Sequence, residues 1–312
     1  MAKKNNKKTN RQKNTFSILL KILLGVFLLL LLLSILKTCR DCDTVNNHKI
    51  VEKTGYLPDD EDWDNIPDVV PPYDDDELDS LPDKVSLEAF FPPIGDQGTY
   101  GTCVAWATGY NLKTALNAID NHWSSAQLAD PSNQTSPKDL WMGIPSNEKG
   151  PYCEGTDFGS AFSVLMTEGV ADMQAVPYKS LGNCNGVLKG NSNNKIIGFS
   201  RVVSETSQPR IEHLKAYLHD TIPLVFGAKL GDNFMTWSGD RVISSDTYLK
   251  PKMQHAYHAM VLSGYDDEKR AFRVRNSWGT SWGDQGSIWV DYDFFVNEFC
   301  FAAFVVNNDN NQ

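Results

Sequence analysis

Phe91-Pro-Pro-Ile-Gly-Asp-Gln97-Gly-Thr-Tyr-Gly-Thr-Cys103-Val-Ala-Trp106-Ala107 sets a glycine-rich turn directly before a helical pattern. Val104, Ala107, Tyr110, Ala115, Leu116 and Ile119 supply a packing face, so a helix is expected from Cys103 to about Ile119. Cys103 stands in its first turn. Unpaired N–H groups and the macrodipole stabilise an anion there, which lowers a thiol pKa and favours the nucleophilic thiolate. Taken alone, a cysteine in such a place is more often a small buried hydrophobe.

Three further residues shift that weighting. Gln97 precedes Cys103 by six residues, close enough for a turn to bring its amide beside the thiol. There, with the Cys103 backbone N–H, it would donate to an oxyanion. Far downstream, His258-Ala-Met-Val-Leu-Ser-Gly-Tyr265 reads as a strand entered by a histidine. After the Asp266-Asp267 turn comes Arg273-Val-Arg-Asn276-Ser-Trp278-Gly-Thr-Ser-Trp282-Gly, which closes a hairpin and brings Asn276 toward His258. His255 is the one rival base, and on a strand it faces away from His258. His122, His213 and His219 fall in helical patterns and read as surface residues.

With these residues together, the sequence resembles the papain-like cysteine proteases, whose pattern is Gln, then Cys opening a central helix, then His on a strand, then Asn-Ser-Trp-Gly. Leu81-Pro-Asp-Lys-Val-Ser-Leu87 resembles the start of a mature domain of that family, and Ser136-Pro-Lys-Asp-Leu140 its second helix. The latter also offers a Ser N-cap with Pro at the first helical position. Cys153-Glu-Gly155-Thr156, Glu168-Gly-Val170 and Pro177-Tyr178 follow in the family's order. The resemblance implies an α+β, papain-like two-lobed fold, with a helical lobe around the nucleophile helix and a β-barrel-like lobe. It also implies a nucleophile at Cys103, a base at His258, an orienting amide at Asn276 shielded by Trp278, and an oxyanion donor at Gln97. Gly155, Thr156 and Ala259 would meet the substrate.

Departures from the family are equally specific. Val104 follows the nucleophile where Trp is usual, Tyr100 stands at a disulfide position, and Thr156 replaces a second glycine. Cys153 therefore lacks its family partner, and a bridge to Cys184 is one option. Cys300 has no candidate partner, and Cys39 and Cys42 adjoin the apolar run described next. In the remainder of the lobe, Ser207 to Asp220 reads as a helix with Pro209 in its first turn, followed by a strand from Leu224 to Leu230. Further strands are expected near Ala259, Phe272, Ile288 and Phe301.

The N-terminal quarter has another character. Residues 1–15 hold six Lys and Arg and no acid. From Phe16 to Leu36 only Ser17, Lys21, Gly25 and Ser34 interrupt an apolar run. At ~1.5 Å per residue it is about 30 Å long, enough to cross a bilayer. No small-x-small cleavage site follows, and Lys37-Thr38 before Cys39 disfavours a lipoprotein anchor. Residues 16–37 are thus expected to be an uncleaved signal anchor in the lipid bilayer. The basic tail would be cytoplasmic and the remainder extracytoplasmic, periplasmic or extracellular.

Fourteen acids between residues 41 and 80 make residues 38–80 an extended acidic stalk, expected to act as a tether rather than an inhibitor. No amphipathic helix resembling the family's inhibitory propeptide precedes Gln97. The domain is placed at residues 81–307, with a tail at 308–312. A net charge of −10 excludes a general nucleic-acid binder, and the scattered His and Cys show no metal-ligand spacing. No cofactor is expected. The expected activity is hydrolysis of polypeptide substrates through a thioester. Two alternatives are a catalytically inactive peptide-binding module and a transpeptidase or amide ligase.

Overall fold

Leu224-Val-Phe-Gly-Ala-Lys-Leu230 is apolar at nearly every position, the signature of a strand covered on both faces. In the computed structural model, which describes residues 54–57, 66–150, 152–204, 209–251 and 255–308, that segment is the middle of the sheet. The strands are β1 (Asp68–Val69), β2 (Lys84–Ser86), β3 (Ile196–Val202), β4 (Leu224–Leu230), β5 (Val242–Ile243), β6 (Ala256–Asp266), β7 (Ala271–Arg275), β8 (Ser287–Asp291) and β9 (Cys300–Asn308). Their order is β1-β3-β9-β4-β6-β7-β8-β5, with β2 also paired to β6. Only β1 with β3 and β5 with β8 run parallel.

Strand β6 positions the chemistry. Its first half pairs with β4, setting His258 opposite Ala228 and Ala259 opposite Gly227. Its second half pairs with β7, where Val261 faces Arg275. Asn276 follows Arg275 directly, so the antiparallel register carries it back toward His258.

The helical half is built on the 103–120 helix. It starts as an α-helix at Cys103–Ala105, widens to i→i+5 turns over Trp106–Lys113, and returns to α over Thr114–Asp120. Every residue of the wide segment is buried. Such widened turns concentrate at functional sites. Pro137–Gly143 is capped as expected: Ser136 Oγ accepts from the Asp139 N–H at 3.1 Å, with Pro at the first position. Phe158–Thr167 is capped by Asp157, which accepts from the Ser160 N–H at 2.8 Å.

Several expectations change. The helix read as Ser207 to Asp220 runs from Ile211 to His219, with Pro209 before it; Arg210 is extended, as a turn-entering residue often is. His213 is buried on that helix rather than at the surface. Residues 66–80, read as stalk, are folded onto the sheet. Asp68 is held by two bonds from Arg201 at 2.7 and 3.0 Å, and Asp74 forms a capping box with Glu77 at the head of Asp75–Asp79. Leu78 is buried, and Tyr73 packs edge-on against Tyr217 and donates to Asp220. Counting charge missed this, because the acids act as caps and ion-pair partners while sparse apolar residues anchor the segment. The expected anchor at residues 16–37 lies outside the described residues. Among the described residues no helix is long and apolar enough to cross a membrane.

Cys153 is bonded to Cys184, 31 positions further along the chain, with Cα atoms 6.0 Å apart. The Cys184 carbonyl also accepts from Trp141 Nε1 at 3.0 Å and Lys149 Nζ at 3.3 Å. Closing a loop of that length restricts the unfolded chain by about 3 kcal/mol. Cys184→Ser is therefore expected to lower the unfolding free energy by about that amount in urea titrations, and reductant should bring the wild type to the same midpoint.

Candidate active site

Cys103, His258, Asn276 and Gln97 converge where the head of the 103–120 helix meets β6. Cys103 is fully buried, and its sulfur lies against the backbone of Ala259, the residue after His258. His258 Nε2 and Asn276 Oδ1 are 2.7 Å apart. That oxygen also accepts from the Ser277 N–H at 2.8 Å, which orients the amide and makes its oxygen the atom facing the ring. Nε2 must then carry the proton, and Nδ1 is the acceptor of the neutral ring. Trp278 covers the pair, its ring centroid 4.7 Å from that of His258.

The loop bearing Gln97 is held beside Asn276 by backbone pairing. The Gln97 N–H donates to Ser277 O at 2.9 Å, Gly279 N–H to Gly95 O at 2.9 Å, and Asp96 bridges to Trp278. Ser277 Oγ donates to Gln97 Oε1 at 2.7 Å, so the amide turns its N–H groups the other way; one of them donates to Tyr100 O at 2.8 Å. Ser277 was not singled out from the sequence, although it lies inside the Asn-Ser-Trp-Gly segment. Nor were Arg275 and Glu88. The Arg275 guanidinium is buried, donating to Glu88 Oε2 at 2.7 Å, Asn111 Oδ1 at 3.3 Å and Pro92 O. It thereby joins the strand ending at Asn276, the nucleophile helix and the approach to Gln97. His255 lies apart, bonded to Tyr248 Oη at 3.0 Å.

Electrostatics differ from the expectation of a thiolate. Burial pushes the Cys103 thiol up to about 12, outweighing the backbone N–H groups of Ala259 on β6 and of Val104 and Cys103 at the helix N-terminus, which favour the anion. Burial likewise brings His258 down to about 4, against the opposing pull of Asn276 and of the Thr54 backbone beside the ring. In this state both groups are neutral at pH 7.

One segment near His258 comes from the N-terminal side, the Thr54 backbone beside its ring. Thr54–Leu57 lie along the cleft, with Leu57 N–H donating to Thr156 O and Thr156 N–H to Gly55 O, both at 2.9 Å. Tyr56 pairs in parallel with Thr156, and its N–H approaches Tyr257 O at 3.4 Å. The strap fits because three glycines meet. Gly55 sits at φ +77°, and a Cβ there would stand 2.1 Å from Gly101 O; a Cβ on Gly155 would stand 2.3 Å from Gly55 O. The acidic region is expected to act as a tether rather than an inhibitor; residues 54–57 lie against the domain instead of extending away from it. They occupy the edge at Gly155 and Thr156 that was assigned to substrate.

The buried thiol at a helix N-terminus, the amide-paired imidazole and the Gln97 amide lie together between the helical half and the sheet. The sequence pattern of the papain family cysteine proteases matches residues 82–300, and the chain belongs to that family. It is 29% identical over 223 residues to "Probable cysteine protease RDL6" of Arabidopsis thaliana, covering 69% of this chain and 57% of that protein. It is 24% identical over 228 residues to "Peptidase 1" of Psoroptes ovis, covering 70% and 61%. The chain thus spans about three fifths of the length of these curated relatives. Among solved structures it is similar to xylellain, a cysteine protease from Xylella fastidiosa, at 26% identity and a TM-score of 0.66, over 83% of this chain and 97% of that one. The digestive procathepsin L2 of Tenebrio molitor shares the fold at 18% identity and a TM-score of 0.63, over 84% and 80%.

Were displacement of Thr54–Leu57 to expose His258 to water, its pKa would rise from about 4 toward the ordinary 6.5, and the open form would bind a proton that the closed form rejects down to about pH 4. Closure should therefore weaken about tenfold per pH unit as pH falls from 6.5 toward 4, and be unaffected by pH just above that window. Hydrogen exchange at the Thr156 amide, corrected for intrinsic rates, reads this directly. Protection that stays constant from pH 7 to 4 would disconnect the strap from the charge on His258.

Proposed function

We propose that the chain is a cysteine peptidase hydrolysing peptide bonds through Cys103, His258 and Asn276 and a thioester intermediate. The observation that carries this reading is the His258–Asn276 pair. With Nε2 committed to Oδ1 at 2.7 Å, Nδ1 is the basic atom of the ring, on the strand segment against which Cys103 docks. Once the cleft opens to solvent, the thiol proton passes to Nδ1 and the thiolate attacks the scissile carbonyl carbon. The carbonyl oxygen becomes an oxyanion, stabilised by Gln97 N–H and the Cys103 backbone N–H. The carbon–nitrogen bond breaks as the imidazolium returns its proton to the leaving amine, and the acyl group remains as a thioester. Water, losing its proton to the same imidazole, then releases the acid and restores the thiol. Asn276 keeps the ring in one tautomer throughout, and Trp278 keeps water from that bond.

Two finer features belong to the same reading. The apolar run at residues 16–37 tethers the domain to a bilayer with its cleft on the extracytoplasmic side, where the Cys153–Cys184 bond is stable in an oxidising compartment. The Thr54–Leu57 strap makes the closed form latent, since the nucleophile and base are both buried and neutral beneath it.

In the full-length protein, Cys103→Ala is expected to abolish both peptide cleavage and labelling by a thiol-directed peptide electrophile. Equal labelling of wild type and Cys103→Ala would sink the enzyme reading. Gln97→Ala should lower kcat by about 10²- to 10³-fold, the usual loss of one oxyanion donor, with a much smaller change in KM. Gly55→Ala, which drives a methyl group into Gly101 O, should displace the strap and raise turnover at neutral pH. An unchanged rate in that variant would show that the strap does not limit access.

A further inference from the structure

An oxyanion hole with donors on two elements works only if those elements keep their spacing, because each donor must stand about 2.7 to 3.1 Å from the developing charge. Gln97 and Cys103 are joined by Gly98-Thr-Tyr-Gly-Thr102, a turn with Gly98 at φ +66°. Its first end is fixed to the sheet side through Ser277 and Gly279. Its second end is fixed to the 103–120 helix, where the Trp106 N–H donates to Thr102 O at 3.0 Å. Tyr100 carries no sulfur and Cys153 is taken by Cys184, so among the described residues no disulfide ties the turn.

Tyr178 bonds to both ends. Its Oη donates to the Gln97 carbonyl at 3.0 Å and lies 2.9 Å from Thr102 Oγ1. A phenol has a single proton, and with that proton on Gln97 O the Thr102 hydroxyl is the donor to Tyr178. Burial raises the phenol above its ordinary value, so the proton stays in place at neutral pH. Gln97 and Thr102 are themselves fully buried.

The phenol is placed by the helical half. Ser136 Oγ donates to Val176 O at 2.6 Å and Lys138 Nζ to Ser180 O at 2.8 Å, so the head of the Pro137–Gly143 helix grips the chain two residues before Tyr178 and two after it. Its ring meets Trp106 edge-on, with centroids 4.8 Å apart at 71°. Trp106 in turn passes over Gly95, where a Cβ would stand 1.9 Å from its ring. The ring of Tyr178 therefore packs against the helix that carries Cys103, while its hydroxyl holds the loop that carries Gln97.

We propose that Tyr178 is a positioning residue of the oxyanion hole, its hydroxyl setting the spacing between the Gln97 amide and the Cys103 backbone N–H. The proposal rests on the peptidase reading of the site. Tyr178 acts through Gln97 and Thr102 and not on the substrate. Without the hydroxyl, the Gln97 carbonyl and the Thr102 hydroxyl each lose a partner in a buried setting, and the turn shifts to recover the bonds. A donor displaced in this way costs transition-state stabilisation and leaves ground-state binding nearly unchanged.

Tyr178→Phe keeps the ring against Trp106 and removes only the oxygen. In full-length Gly55→Ala protein it should lower kcat about tenfold and change KM by less than about twofold. In a Gln97→Ala background the same substitution should cost less than about twofold, because the donor it places is gone. An unchanged kcat, or losses that multiply when the two substitutions are combined, would overturn the proposal. Hydrogen exchange gives a second reading that needs no turnover. In the full-length protein, Tyr178→Phe should speed exchange at the Gln97 and Trp106 amides about tenfold, with no change at the Leu140 amide. Leu140 N–H donates to Ser136 O at 3.2 Å and reports on the helix that carries the Tyr178 segment. Equal protection at Gln97 and Trp106 in the two proteins would overturn the proposal. Absence of Cys103-dependent cleavage, with the exchange difference present, would count against the peptidase reading alone.

Discussion

A buried guanidinium joins the three pieces of chain that make the site. Arg275 reaches Glu88 and Pro92 ahead of the Gln97 loop and Asn111 on the 103–120 helix, while its own backbone leads directly into Asn276. Phe91 lies against its face, 5.1 Å from the ring centroid. Removing a cation from water is expensive, and it is sustained here because charge and donors both find partners. The pairing of residues 95–97 with 277–279 follows from this junction, and the Ser277–Gln97 bond refines it.

The same enclosure that fixes geometry works against ionisation. A helix N-terminus lowers a thiol pKa only while the anion retains enough polar surroundings, and with the strap in place desolvation is the larger effect at Cys103 and His258. Closure and chemistry are therefore alternatives. The strap is held by ladder bonds to Thr156, by the Tyr56 N–H at Tyr257 O, by close glycine approaches and by the buried Tyr56 ring between Phe158 and Phe301.

Much of this was legible before any coordinates. Gln97, Cys103, His258 and Asn276 are separated by up to 179 positions, yet each sits in a local pattern that declares its element: a glycine turn, a capped helix, a strand entrance and a hairpin end. The Leu224–Leu230 strand and the Ser136 cap were readable for the same reason, since both depend on neighbouring residues alone. Residues 66–80 were misread because charge density describes a chain in isolation. Asp68 is neutralised by Arg201, 133 positions away, and Asp74 by the helix it caps. Arg275 escaped notice because a charged residue in a strand reads as a solvent-facing one until its partners are placed around it.

What the sequence determined by itself was the order of elements and the chemical types at the site, because helix caps, strand periods and turns are set within a few residues. Only the tertiary structure decided that Thr54–Leu57 return to the cleft, that Phe301 passes over Gly227 to meet Tyr56, and that the nucleophile and its base are neutral when covered. Those outcomes depend on contacts between residues as much as 245 positions apart and on how much water the assembled fold excludes, and neither is written in any local stretch of chain.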